Sequence, residues 1–116
     1  MAQKYDFSQL MKKTRAVEVT LDRPRSMSYT MPAIQAFVDR FGVSVTAWLK
    51  QYVDDDGEVT EPPIEDMYFI AWLGFHDNDE TFSFEEFQRL ISWPVLNALY
   101  KGPVLQALIG YGDLEN

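Results

Sequence analysis

The sequence has no cysteine and a single histidine among its 116 residues. The missing cysteines exclude a disulfide scaffold, thiol catalysis and cysteine-ligated zinc, and they suit a reducing compartment. Any histidine-dependent mechanism must run through His76, and its neighbour Asp77 and the available serines do not form a triad pattern. No Gly-rich phosphate loop, His-Glu-x-x-His motif or spaced carboxylate pair occurs. Basic residues are scarce beyond residue 50: Arg89 and Lys101 stand against 14 carboxylates there, net −12, while residues 1–50 are net +4. So acidic a half repels nucleic acid phosphates. No apolar run nears the ~18 residues of a membrane span, the longest being Phe69 to Phe75. Lys4, Lys12, Lys13 and Arg15 precede no apolar stretch, so no secretory signal is expected. Neither enzymatic activity nor a cofactor, metal, nucleic-acid or membrane partner is expected.

What is present is core-forming material. Hydrophobic residues make up 47% of the chain and aromatic residues 15%, too rich for a disordered polymer. The expected organisation is a flexible arm over 1–15, one globular domain over 16–110 and a short tail over 111–116. The arm carries Phe7, Leu10 and Met11 at the spacing of one helical turn. Val17, Val19 and Leu21 alternate with Glu18 and Thr20, and Met27, Tyr29 and Met31 alternate after Asp22-Arg-Pro-Arg25. This period of two predicts a β-hairpin with strands 16–21 and 26–31.

Helical spacing follows. Thr30 and Pro32 mark a start, Ile34, Phe37, Val38 and Phe41 share one face, and Gly42 marks a stop. Ser44 caps a second short helix through Trp48, Leu49 and Tyr52. Asp54 to Pro63 is a loop by its Asp, Gly and Pro content. Ile64, Met67, Tyr68, Ala71, Trp72 and Phe75 form the predicted core stripe of the next helix. Phe69 and Leu73 fall on its other side, beside Glu65 and Asp66. Ser83, Glu86, Phe82 and Phe87 combine N-cap, capping box and hydrophobic staple. Pro94-Val-Leu-Asn-Ala-Leu99 then recurs as Pro103-Val-Leu-Gln-Ala-Leu108, which predicts tandem short helices ending at Gly102 and Gly110. The fold class is therefore α+β, an N-terminal β-hairpin followed by a bundle of about five to six short helices.

Two segments imitate calcium loops. Asp77, Asp79, Thr81, Ser83 and Glu86 fit positions 3, 5, 7, 9 and 12 of an EF-hand, but Phe75 occupies position 1 and Glu80 the glycine position. Asp54, Asp56 and Gly57 fit another register, which puts Pro63 where the bidentate glutamate belongs. Each lacks a principal ligand, so no metal site is expected. The candidate partner-binding residues are instead apolar: Phe69 and Leu73, with Trp93, Leu96, Tyr100, Leu105 and Ile109 from a segment whose only charge is Lys101. Apolar groups rimmed by carboxylates suit an amphipathic, partly basic partner. The charge asymmetry also fits a homo-oligomer assembled head to tail.

The order of these pieces carries a resemblance. A hairpin leads to a helix ending in Arg40-Phe41-Gly42, then Val43-Ser-Val-Thr46 and a Trp48-Leu49 helix. A later helix leads into the His-Asp-x-Asp-x-x-Phe-Ser-x-Glu-Glu stretch from His76 to Glu86. Over about residues 16–110 this resembles the small tail assembly chaperones of long-tailed bacteriophages. The resemblance implies a non-enzyme that coats the tape-measure protein, recruits tail tube protein, works in the cytoplasm of the infected bacterium and is absent from the mature virion. The competing expectation is a small acidic binding module, such as an inhibitor of a host protein.

Overall fold

The computed structural model describes residues 17–76 and 78–115, with side chains through Tyr111. The expected arm over 1–15 and the calcium-loop position Asp77 lie outside these residues. Strands β1 (Val17–Thr20) and β2 (Pro24–Met27) pair antiparallel, Val17 opposite Met27 and Thr20 opposite Pro24. The turn is shorter than the sequence predicts, spanning Leu21 to Arg23, and the Leu21 N–H donates to the Arg23 carbonyl at 3.0 Å. Strand β2 also ends early. The Ser28 N–H leaves the ladder and donates to the Gly74 carbonyl at 2.8 Å, which ties the hairpin to the helical layer. Met27 and Tyr29 are buried as the alternation requires, whereas Met31 is 68% exposed because it already begins a helix.

That helix, α1 (Met31–Phe41), starts where the Thr30 side chain accepts from the Ala33 N–H and ends at Gly42, whose φ of 71° is cheap only for glycine. Helix α2 (Val45–Tyr52) starts on Ser44, whose hydroxyl accepts from the Ala47 N–H at 3.1 Å. The following loop is pinned by a lone bridge between Val53 and Val59 and by Asp54 Oδ1, which accepts from the Asp56 and Glu58 N–H groups.

Helix α3 (Ile64–His76) is the centre of the domain. Met67, Ile70, Ala71, Leu73, Gly74 and Phe75 are buried, because α1, β2 and the helices that follow pack on several of its sides. A helix apolar nearly all round is the kind that sits inside. The predicted stripe is therefore displaced: Met67, Ala71 and Phe75 are core, Tyr68 and Trp72 are half-buried, and Ile64 is 47% exposed.

Helix α4 (Phe84–Leu90) begins as its sequence requires. Ser83 Oγ accepts from the Glu86 N–H at 3.1 Å, and the Phe82 and Phe87 rings meet edge to face at 5.7 Å. Helix α5 (Trp93–Leu99) passes through a π-helical turn (Tyr100–Val104) into α6 (Leu105–Glu115). The turn contains non-helical Gly102 (φ −100°, ψ −106°), followed by Pro103, which has no N–H to continue the ladder. The second repeat does not stop at Gly110, since α6 runs through it to Glu115. The repeats bury equivalent residues, Leu96 with Leu99 and Leu105 with Leu108. The architecture is α+β, a two-stranded hairpin followed by a helical bundle. Among the described residues no helix is long and apolar enough to cross a membrane.

Candidate functional site: an aromatic face on α1, α3 and α4

Packing on both flanks of α3 leaves a narrow strip of that helix open. Phe69, Trp72 and His76 lie along it at i, i+3 and i+7, one turn beyond exposed Glu65. Phe41 closes one flank from the end of α1, and Phe84 the other from the start of α4. All five rings are half-buried. They form a continuous row: Phe41 to Phe69 at 6.1 Å, Phe69 to Trp72 at 6.0 Å, Trp72 to His76 at 4.4 Å, with Phe84 5.4 Å from Trp72 and 6.1 Å from Phe69. Tilted and edge-to-face pairs of this kind are favourable beyond their buried area.

The row is held from beneath and guarded from above. Trp72 Nε1–H donates to the Phe82 carbonyl at 2.8 Å, so the indole cannot swing out. Phe41 also contacts Phe37 and Trp48 in the core, at 4.8 and 6.0 Å. Arg40 lies over the row, its guanidinium carbon 4.7 Å from the Phe69 ring centre and 5.7 Å from that of Phe41, while its Nη2 pairs with Asp66 at 3.4 Å. At the other end the Nδ1 atom of His76 is buried without a hydrogen-bond partner among the described residues.

The hairpin fixes the loop that carries Phe82. Arg25 grips Asp22 through Nε at 2.9 Å and Asp79 through Nη1 at 3.2 Å, and its guanidinium carbon lies 3.8 Å from the centre of the Phe82 ring. Arg23 also reaches Asp79 at 3.2 Å. The hydrogen bond from Arg25 holds the Asp22 carboxyl below the usual range. The Thr81 hydroxyl does most to lower that of Asp79, with both arginines adding to it. Asp79 is thus engaged by cations of the chain itself, and no cluster of three metal-ligating side chains occurs among the described residues.

The structure divides the sequence-predicted partner-binding residues. Phe69 lies on the open row. Trp93 and Ile109 are 42% and 45% exposed, on other helices. Leu73, Leu96, Tyr100 and Leu105 are buried core residues and offer no surface, a correction with one cause. Tertiary packing covers them all: α3 packs against α5 and the π turn, and α6, which begins with Leu105, packs against the π turn and α2. Burial also pushes the Tyr100 hydroxyl well above its ordinary pKa. The residues that sequence reasoning missed are Phe41, Trp72, His76 and Phe84. Helical spacing assigns the first two to the core, while Phe84 and His76 join the row only through tertiary packing. No known protein family, curated protein or solved structure matches this chain.

Proposed function

We propose that this domain is a non-enzymatic assembly chaperone of the phage tail type, which holds a tape-measure protein segment on its aromatic face and helps to recruit tail tube subunits. The observation that carries this reading is the row Phe41–Phe69–Trp72–His76, with Phe84 beside it, half-open on a domain of net charge −8. A strip of rings held by core contacts suits an amphipathic helix laid along α3, because apolar groups at i, i+3, i+4 and i+7 of the client meet it in sequence. Rigid rings at an interface lose little side-chain entropy on binding. Glu65 and Glu85 border the strip and attract a basic flank, and the remaining carboxylates keep an otherwise insoluble complex dispersed. With such a client the protein would act in the host cytoplasm and be left out of the finished particle.

Co-expression tests this reading. A tape-measure fragment that is insoluble alone is expected in the soluble fraction with the intact chaperone, and to return to the pellet with Phe69→Ser/Trp72→Ser. A fragment equally insoluble with the intact chain refutes the assignment.

A further inference from the structure

Arg25 and Arg40 both lie over phenylalanine rings, but they are held very differently. Arg25 commits three nitrogens to carboxylates: Nε and Nη2 to Asp22 at 2.9 and 3.0 Å, and Nη1 to Asp79 at 3.2 Å, with 10% of its side chain exposed. Arg40 commits one. Its Nη2 reaches Asp66 at 3.4 Å, and 43% of its side chain is exposed. An exposed ion pair of this length contributes little. Arg25 is a fixed latch, whereas Arg40 rests on Phe69 and can leave it.

The surface beneath Arg40 has the makings of a cation seat. Phe69 offers its ring face, 4.7 Å from the guanidinium carbon, with Phe41 at 5.7 Å. Glu65 and Asp66 precede Phe69 by four and three residues on α3, so both carboxylates stand one turn from the ring. Against these two charges stands one cation. Among the described residues Asp66 pairs with Arg40, and Glu65 pairs with none.

We infer that this seat is a cation subsite of the aromatic face, filled by Arg40 in the free protein and by an arginine of the client in the complex. The inference deepens the reading of that face as the client-binding surface and rests on it. A helix laid along the row has to cover Phe69, which Arg40 now covers. Leaving Arg40 in place would bury a cation held by one long contact, so it gives way. An arginine placed one turn outside the client's apolar anchors restores both the ring contact and the Asp66 pair, and it brings a positive charge to Glu65. A planar guanidinium suits a seat that combines a ring face with a carboxylate. Arg40 thus competes with the client from within the chain and weakens its hold.

Two synthetic helical peptides test this against the full chain by fluorescence anisotropy. They share leucines at i, i+3, i+4 and i+7 and differ at one position a turn before the first leucine, arginine in one and its neutral isostere citrulline in the other. The intact chain is expected to hold the two nearly alike. Arg40→Ala is expected to bind the arginine peptide at least several-fold more tightly than the intact chain does, and several-fold more tightly than the citrulline peptide. Adding Asp66→Asn should abolish that preference. Equal affinity of Arg40→Ala for the two peptides overturns the subsite, as does a preference that survives Asp66→Asn. If Phe69→Ser then weakens both peptides, the aromatic face still stands as the client surface. Failure of every variant to bind either peptide overturns the subsite and the face together.

Discussion

Met27 and Gly74 meet so closely that a Cβ on Gly74 would stand 2.7 Å from Met27 Cγ and 3.2 Å from Tyr29 Cζ. This is where the hairpin crosses α3, reinforced by the Ser28 N–H bond to the Gly74 carbonyl and by the Tyr29 hydroxyl, which donates to the Ile70 carbonyl at 2.7 Å. Met27 is fully buried and cannot retreat. Gly74→Ala is therefore expected to destabilise the domain by about 1–3 kcal/mol through overpacking. Denaturant titration measures this, and an unchanged midpoint would show that the hairpin yields freely.

Ser83→Ala tests the start of α4. The hydroxyl accepts from the Glu86 N–H, and its removal should cost about 1 kcal/mol. A change below a few tenths would mean that the Phe82–Phe87 staple sets the helix start alone.

Acid should loosen the hairpin before the bundle. Asp22 and Asp79 have depressed pKa values in the folded protein, held down by Arg25 and by Thr81 with the two arginines. A carboxylate whose folded pKa is lowered contributes stability above its unfolded pKa, near 4, and loses it as pH falls through the folded value. Amide protection in β1 and β2, taken relative to the intrinsic exchange rate at each pH, is thus expected to fall below about pH 4 while α3 stays protected. Simultaneous loss of protection in both would show that the arginine latch does not act separately.

Leu73 and Phe69 should respond oppositely. Leu73 is buried, so Leu73→Ala is expected to cost 2–5 kcal/mol by cavity formation. Phe69 is half-open, and Phe69→Ser should cost distinctly less while weakening client binding. Thermal melts of the two variants check the split, and equal losses would place Phe69 in the core.

That pair also shows how far the sequence could be read. Local signals were legible because their physics is local: the caps at Thr30, Ser44 and Ser83, the left-handed stop at Gly42 and the Phe82–Phe87 staple all stand where their residue types require. The periodicity of α3 was ambiguous for a physical reason. A helix covered on several sides has no single apolar face, so spacing alone could not tell buried Leu73 from half-open Phe69 beside it. The aromatic row draws on α1, α3 and α4, residues 41 to 84, and exists only once those helices pack. Gly110 misled because helix α6 continues through it to Glu115: a glycine inside a helix costs only about 1 kcal/mol relative to alanine, so it permits a stop without imposing one.

If the half-open aromatic row receives the client, as proposed, an amide and side-chain NMR footprint of the complex falls on it. With the tape-measure fragment bound, the largest shifts are expected at Arg40, Phe41, Phe69, the Trp72 indole, His76 and Phe84, with little change in β1, β2 or α5. A footprint on α5 or the hairpin, with the Trp72 indole and His76 ring unmoved, would contradict it.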